Sequence, residues 1–583
     1  MGKCKEDIYI ARDPEITWED VEVLSSPTLN GAKVLLDVMA EEGVEVVFGY
    51  PGGSLLAIYD ALLESPIRHV LPRHEQTAVH AADAYARVSG KVGVCMATSG
   101  PGAANMVTGI ANAYMDSVPL VIITGQVPTH LLGTDSFQEV DITGMTFPIT
   151  KHSYLVKAAK DIPRIVKEAF YIAGTGRPGP VLIDLPKNVM AEEVLDPRPP
   201  KIEIKSYKYF SKGNAGQIGE AAKALAESKK PVVYAGGGVI TSGAGQVLQE
   251  LIEKTNIPVV TTLMGIGSVP AKHPNHLGMV GMHGTITANL AVNDCDLLMA
   301  VGVRFDDRVT SGLKHKFATK AKVIHIDVDP AEIGKVVKTH IPIVGDARLV
   351  LEDLLEKVTP LKIDEWWEQL RSWARQYPLC YEQDGRLNPQ TILKAMGEIA
   401  GENAIVCTDV GQHQMWAAQF YPVTGGRQFI TSAGLGTMGF GFPAAIGAQF
   451  AKPESLVFLV TGDGSFQMSI QELATTVQYQ LPIKVILMNN GVLGMVKQLQ
   501  KMFCNERFSQ IQLHANPDFL KVAEAYGVKG MRIESPEQVD AAIKEAIETP
   551  GPVLVDCIIS PDEIVLPTLP PGKAITDILG GRE

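Results

Sequence analysis

Charge is scarce in this chain of 583 residues. Only 20% are Asp, Glu, Lys or Arg against 46% hydrophobic, and 52 basic against 65 acidic residues leave a formal charge of −13. Such a balance argues against a nucleic-acid partner, and the apolar fraction is too high for a disordered protein. Cysteine is also sparse. Cys4, Cys95, Cys295, Cys380, Cys407, Cys504 and Cys557 form no C-x-x-C pair and leave one over, which fits scattered reduced thiols in a reducing compartment better than a secreted protein, and a chain of this length is no small disulfide-stapled scaffold. The opening segment, Met1 to Pro27, mixes both charges and lacks the continuous apolar stretch of an export signal. An unbroken hydrophobic run is missing too: the longest uncharged stretch, Gln428 to Ala451, is cut by five glycines and Pro443, so a loop and a buried helix are expected in place of a membrane span. A soluble, cytoplasmic protein with neither nucleic acid nor membrane as partner is the expectation.

What is present is length and pattern. At roughly 150 residues per domain the chain holds about three or four domains, each able to bury its own core. Short β-branched runs such as Pro119 to Thr124, Val181 to Asp184, Val323 to Asp327 and Ile483 to Met488 alternate with Ala-rich helical stretches. Continuous apolar strands between helices mean parallel sheets covered on both faces, hence an α/β chain. Two parts repeat. Thr98-Ser99-Gly100-Pro101 and Thr461-Gly462-Asp463-Gly464 both end an apolar run, and Pro119 and Pro482 each start the next at the same offset; Pro178 to Asp184 and Pro550 to Asp556 then recur at a slightly larger one, as a loop insertion would produce. The expected layout is a first unit over 28–195, a different α/β unit over 200–360, and a connecting helix and turn over 361–388. A duplicate of the first unit over 389–560 and a tail over 561–583 that drapes over a surface or serves as a lid complete it. Asp196-Pro197-Arg198-Pro199-Pro200 reads as the first linker, because prolines cannot continue a helix or a central strand.

The strongest chemical signal lies between Leu456 and Asn490. An apolar strand runs into Gly462-Asp463-Gly464-Ser465, a helix follows, and a second strand ends at Asn489-Asn490-Gly491. Asp463 and Asn490 therefore stand at the carboxyl ends of two parallel strands, where ligands of open α/β sheets bind. One carboxylate and one amide oxygen are hard ligands that suit Mg²⁺, an ion that often shares its shell with phosphates. A lone Gly-Asp-Gly is commonly just a turn that stops a strand; its pairing with Asn490 at the end of the next strand is what favours a site.

That spacing resembles the thiamine-diphosphate signature, and further motifs narrow the resemblance to the acetohydroxyacid synthase (acetolactate synthase) large-subunit family. They are Tyr50-Pro51-Gly52-Gly53, Leu71 to Gln76 (LPRHEQ), Gly125 to Pro128 (GQVP), Gly133 to Glu139 (GTDSFQE), Val303 to Thr310 (VRFDDRVT), Gly411 to Gln419 (GQHQMWAAQ) and Gly434 to Gly441 (GLGTMGFG). The resemblance covers about Thr28 to Ser560. It implies three doubly wound parallel-sheet domains, the first and third related thiamine-diphosphate-binding folds and the middle one associated with FAD. Asp463, Asn490 and the carbonyl of Val492 would ligate Mg²⁺ on the diphosphate, Gln412 and His413 would contact its phosphates, and Gly462, Gly464 and Ser465 would line it. Gly436 and Met438 would hold the aminopyrimidine, with Met438 wedged between the two rings. Glu75, by itself a first-turn glutamate favoured by the helix dipole, would share a proton with N1′ of the pyrimidine from an apolar pocket that raises its pKa. In the family this glutamate faces Asp463 across a subunit boundary, so a homodimer or tetramer is implied.

The middle segment offers Gly236-Gly237-Gly238 after an apolar run and Asp327 closing another, but no G-x-G-x-x-G of its own; unaided, it is an α/β domain of unknown ligand. The family places FAD there, at Gly237, Thr262, Leu263, Met282, His283, Gly302, Arg304, Asp306, Asp327, Val328 and Asp346. It usually offers an arginine near residues 201–215, where this chain has only lysines. Arg308 would clamp the carboxylate of the second 2-oxo acid, Gly53 would border the substrate, Phe137 and Gln138 would approach from the neighbouring subunit, and Trp416 would wall the acceptor side chain. After Met495 to Gln498 the family typically carries a channel tryptophan, and here stands Leu499. The implied activity is a transferase that decarboxylates pyruvate and ligates the hydroxyethyl group to a second pyruvate, giving 2-acetolactate, or to 2-oxobutyrate, giving 2-aceto-2-hydroxybutyrate. This would be a step of isoleucine, valine and leucine biosynthesis, with a small regulatory subunit as a possible partner. A flavin-linked pyruvate oxidase is the alternative, disfavoured by Arg304 to Arg308 and Gly411 to Trp416; a glyoxylate carboligase is disfavoured by the presence of Glu75, and an inert scaffold by Glu75, Asp463 and Asn490.

Overall fold

The structure, a computed structural model, describes residues 29–197, 201–570, 572–574 and 577–580. The amino-terminal reading over Met1 to Pro27 and the end of the proline linker, 198–200, lie outside the described residues.

Among the described residues, eighteen strands form three six-stranded sheets. The first contains β1 (Val46–Tyr50), β2 (Arg68–Val70), β3 (Gly93–Ala97), β4 (Leu120–Gln126), β5 (His152–Leu155) and β6 (Pro180–Pro186), in the order β2-β1-β3-β4-β6-β5. β3, β4 and β6 are buried at every residue. Their Val/Ile/Leu runs therefore meet helices on both faces, as buried parallel sheets require. The third sheet contains β13 (Ile405–Thr408), β14 (Phe429–Ile430), β15 (Val457–Gly462), β16 (Lys484–Asn489), β17 (Lys529–Ile533) and β18 (Val553–Ile558), in the order β14-β13-β15-β16-β18-β17. The two sheets have one topology. The sequence repeats fall on equivalent places: the turn after β3 matches the end of β15, and Pro180 to Asp184 in β6 corresponds to Pro552 to Asp556 at β18.

The central sheet contains β7 (Pro231–Ala235), β8 (Val259–Thr261), β9 (His276–Met279), β10 (Leu297–Val301), β11 (Lys322–Asp327) and β12 (Ile341–Val344). Its order, β12-β11-β10-β7-β8-β9, is that of dinucleotide-binding sheets, with the reversal between β7 and β10. At that switch point the backbones nearly touch. A Cβ on Gly236 would lie 2.2 Å from the carbonyl oxygen of Gly302, one on Gly238 would lie 2.6 Å from Gly302 Cα, and Gly302 itself has φ +58°. Only glycine satisfies both demands.

Helix Asp364–Gln376 carries Asp364 and Glu365 in its first turn and Arg375 in its last, charges that oppose its dipole favourably. It packs against the central sheet, with Trp366 and Trp367 buried and their indole N–H groups donating to the carbonyls of Pro231 (3.2 Å) and Asn256 (2.8 Å). The first and third units share one core. Its axis is the pairing of helix Glu75–Ser89 with helix Gly441–Ala451, the apolar part of the uncharged run. Ala81, Ala82, Ala444, Ala445 and Ala448 let the helices approach until a Cβ on Gly447 would lie 1.9 Å from the carbonyl oxygen of Ala81. Phe440, Phe442 and Phe466 fill the remaining space fully buried, each contributing roughly 1.5–3 kcal/mol. Among the described residues no helix is long and apolar enough to cross a membrane.

Candidate active site

The expected site residues fall into three groups. In the first unit, Glu75 opens helix Glu75–Ser89, whose N-cap is His74; the ring Nδ1 of His74 accepts the Gln76 N–H at 3.1 Å. Glu75 Oε2 accepts from the Asn105 side-chain amide at 3.0 Å, and a Cβ on Gly102 would lie 3.3 Å from Oε1. Nearby, Gly100 (φ +62°) abuts the Gln138 backbone, Gln138 itself is left-handed (φ 59°), Phe137 is 87% exposed, and Gly53 opens onto free space. One copy of the chain leaves Glu75 half-buried, so the apolar pocket expected around it is not complete among the described residues of one copy. The entry to the helix is set from the third unit. The buried carboxylate of Glu472 accepts the Arg73 N–H at 3.0 and 3.1 Å and the hydroxyls of Thr77 (2.8 Å) and Thr475 (2.6 Å).

The second group lies at the carboxyl ends of β13, β15 and β16. Asp463 is 1% exposed and its Oδ2 accepts from Gly491 N–H at 2.9 Å and Asn516 Nδ2 at 2.6 Å; burial nevertheless raises its pKa. Asn490 Oδ1 accepts the Val492 N–H at 3.1 Å. A Cβ on Gly494 would lie 2.0 Å from Gln412 Oε1 and 2.9 Å from Asn490 Nδ2, and one on Gly462 would lie 2.9 Å from the His413 ring, so Gly462, Gln412, His413 and Asn490 converge. Ser465 Oγ donates to the carbonyl of Val410 at 3.0 Å, holding the turn into Gly411, and a Cβ on Gly464 would meet Leu493 at 2.8 Å. Gln412 Oε1 and His413 Nε2 are buried here without a partner among the described residues. Burial pushes the His413 pKa down to about 3, so the ring is neutral at neutral pH. A ligand or ion held at these strand ends would complete both atoms. One carboxylate, one amide and one backbone carbonyl make a hard-oxygen donor set that leaves positions for phosphate oxygens and water.

The third group lines a cavity of about 860 Å³, within the usual range of small-molecule sites. Every position assigned to FAD borders it, from Gly237, Thr262 and Leu263 through Met282, His283, Gly302, Arg304 and Asp306 to Asp327, Val328 and Asp346. Asp327 is pushed up to about 7 by burial. Gly434, Leu435 and Gly436 close one side; Met495 and Leu499 close another, with Thr568, Leu569 and Pro570 of the tail. The tail is anchored there. Leu569 N–H donates to the carbonyl of Met282 at 2.8 Å, Gln412 Nε2 to that of Glu563 at 2.9 Å, and Gln498 exchanges hydrogen bonds with Val565 at 2.9 and 3.1 Å. Arg308 reaches the cavity with a side chain 70% exposed, its guanidinium 3.9 Å from Asp307.

Trp416 is a correction. It is 1% exposed in the core of the third unit, among Ile392, Met396 and Val406, and does not border the cavity. It sits on helix Gln412–Phe420, where Met415, its neighbour, points to the cavity and Trp416 turns away. Sequence reasoning missed Asp409 and Asn516. Asp409 is fully buried, its pKa raised to about 6 by burial, and it accepts the N–H groups of Val410, Gly439 and Gly441 at 2.8 to 3.0 Å. It follows β13 as Asp463 follows β15, a signal that was open to view; Asn516 lies in a loop with no such mark.

Family models for the thiamine pyrophosphate enzymes match all three units: the N-terminal TPP binding domain over residues 29–145, the central domain over 218–354 and the C-terminal TPP binding domain over 409–557. A probable acetolactate synthase large subunit from Methanocaldococcus jannaschii is 50% identical over 564 residues, 94% of this chain and 95% of that protein. The acetolactate synthase isozyme 3 large subunit of Escherichia coli is 50% identical over 531 residues, 89% of this chain and 92% of that one. The acetolactate synthase large subunit of Pyropia yezoensis is 49% identical over 564 residues, 94% and 95% of the two chains. With the duplicated sheets, the Asp463–Asn490 pair and the central cavity, these likenesses place the chain in the acetolactate synthase large-subunit family of thiamine-diphosphate-dependent enzymes.

Proposed function

We propose that the chain is the catalytic subunit of an acetohydroxyacid synthase, joining two 2-oxo acids with loss of CO₂ at a site formed by two copies of the chain. The observation that carries this is the pair of orphaned buried atoms, Gln412 Oε1 and His413 Nε2, beside a buried carboxylate at the ends of β13, β15 and β16. That cradle suits a diphosphate with its Mg²⁺ held by Asp463, Asn490 and the Val492 carbonyl. When bound, thiamine diphosphate supplies a carbon nucleophile that attacks a 2-oxo acid and stabilises the charge left by CO₂.

The protein's part is binding, orientation and proton placement. Gly436 and Met438 would present backbone and side chain to the aminopyrimidine, and Glu75 of a second copy would hold a proton at N1′. Glu75 makes its hydrogen bond to Asn105, and none to the third unit, among the described residues; its open side is where a partner fits. Arg308, exposed at the cavity rim, offers a fork for the carboxylate of the acceptor acid. FAD suits the central cavity, whose sheet has the dinucleotide order and whose switch point is paved with glycine. Joining two 2-oxo acids with loss of CO₂ involves no net redox change, so the flavin's role here is structural. A small regulatory subunit and a cytoplasmic location accompany this reading. The test is turnover of pyruvate with thiamine diphosphate, Mg²⁺ and FAD in the absence of an electron acceptor. Acetolactate and CO₂ in equal amounts are expected; acetate, acetyl phosphate or peroxide, with strict need for an acceptor, would establish the oxidase instead.

A further inference from the structure

A buried polar cluster on the first unit grips the loop of the third unit that carries Gly436 and Met438. Asp83 and Arg87 lie on helix Glu75–Ser89, Asn112 on helix Val107–Met115, and Asp116 follows directly after it. The carboxylates of Asp83 and Asp116 are fully buried and the Arg87 side chain is 10% exposed. Arg87 Nε donates to Asp83, Nη2 to Asp116 at 3.0 Å, and Nη1 to the carbonyl of Thr431 at 3.0 Å. Asn112 Nδ2 donates to Asp83 at 3.1 Å.

From this base two arms reach the loop. Asp116 Oδ2 accepts the Ala433 N–H at 3.1 Å and Oδ1 the Gly434 N–H at 2.8 Å. Asn112 Oδ1 accepts the hydroxyls of Ser432 (2.5 Å) and Thr437 (3.3 Å), and Ser432 Oγ in turn accepts the Thr437 N–H at 2.9 Å. Residues 432–437 are thus pinned at both ends by side chains of another unit, while Leu435 and Gly436 between them stand exposed at the cavity, Gly436 with φ +68°. A Cβ on Gly434 would lie 3.0 Å from Asp116 Oδ1 and 3.2 Å from the Arg304 guanidinium, so the same grip abuts the flavin-side arginine.

A purely structural need does not explain the design. Burying two carboxylates and a guanidinium is costly unless every group is paired, and an apolar contact between the units, as in the neighbouring Ala/Phe core, is the ordinary solution. What the polar cluster adds is direction: charged acceptors fix individual backbone N–H groups in place and orientation. We propose that Asp116, held in place by Arg87 and backed by Asn112, is a positioning residue that sets the 432–437 loop so that Gly436 and Met438 meet the aminopyrimidine in its reactive orientation. This rests on the reading above that the pyrimidine lies on that loop.

The experiment strips thiamine diphosphate from the Mg²⁺- and FAD-loaded protein, titrates it back calorimetrically, and measures proton exchange at the cofactor's C2 at saturation. Asp116→Asn keeps the size but offers an amide N–H where an acceptor is needed. It is expected to weaken cofactor binding at least tenfold and to slow C2 exchange at saturation about tenfold, with flavin content unchanged, and Asp116→Glu is expected to recover part of both. Should Asp116→Asn fail to fold, Ser432→Ala removes the Ser432 hydroxyl's bonds to Asn112 and to the Thr437 N–H while leaving that of the Thr437 hydroxyl, and is expected to slow exchange about threefold at saturation. A lowered melting temperature with binding and exchange within twofold of wild type would overturn the proposal and leave the cluster as mere cement. Met438→Ala separates the two readings. If it alters exchange while Asp116→Asn does not, only the positioning role falls; if neither does, the pyrimidine is not on this loop.

Discussion

The backbone N–H of Gly491 donates to Asp463 Oδ2 at 2.9 Å, tying the turn after β16 to the turn after β15. This bond sets the gap between the two strand ends around a buried carboxylate. Burial of that charge is costly without a cation, and Asp463 is the sole charged side chain in the proposed Mg²⁺ shell. Asp463→Ala is expected to weaken thiamine-diphosphate binding at least a hundredfold in the presence of Mg²⁺ while flavin content stays at wild-type level, as read by calorimetry and flavin absorbance.

Glu75 is the proposed proton holder at N1′, and its hydrogen bond from Asn105 fixes its orientation. Glu75→Gln keeps the shape but cannot carry the proton. C2 exchange is expected to slow about 10²-fold or more, the usual scale of such contributions, with cofactor still bound. Near-normal exchange would return Glu75 to the role of a helix-start charge.

Asp409 links pH to stability. Its folded pKa is raised to about 6 by burial, against an ordinary carboxylate value of about 4. Between those values the folded state holds more protons than the unfolded one, so the contribution is fully present below about pH 4 and is lost as pH rises to about 6, roughly 2–3 kcal/mol in all. The melting temperature of wild type relative to Asp409→Asn is therefore expected to fall across that window and to level off above it. A difference that stays flat across the whole window would contradict the assignment.

Leu499 stands at the cavity wall, where the family's channel tryptophan is expected, whereas Trp416 does not wall the cavity. Leu499 is 41% exposed and borders the cavity; Trp416 is core. Trp416→Leu is expected to cost on the order of 2–4 kcal/mol of stability and to leave the ratio of products from competing pyruvate and 2-oxobutyrate unchanged. Leu499→Trp adds a flat π-face to the cavity wall and is expected to tighten inhibition by sulfonylurea-type aromatic compounds while the rate with pyruvate stays within a few-fold. A shifted product ratio in the first variant, or no gain in the second, would contradict this placement.

The fold was legible because its signals are local or repeated. Apolar strands, glycine turns and the recurrence of Pro178 to Asp184 as Pro550 to Asp556 mark two sheets of the same topology, and the Gly236–Gly302 approach is foreshadowed by three consecutive glycines. Asp463 and Asn490 were visible because strand ends carry their own punctuation. The orientation of Trp416 was not, since adjacent residues of one helix point to different sides and no motif records which side is the core. Nor were the partners of Glu472 and Asp116, whose contacts join the first unit to the third across the whole central unit of the chain and exist only once the two have docked.

The most direct test of the shared site is complementation. Glu75→Gln and Asp463→Ala chains, each nearly inactive alone, are unfolded together or co-expressed, reassembled, and assayed for acetolactate. If Glu75 of one copy serves Asp463 of the other, each mixed dimer holds one intact site, and random pairing is expected to restore about a quarter of wild-type activity. A mixture as inactive as its two components would mean that both groups act within one chain, and would contradict the account.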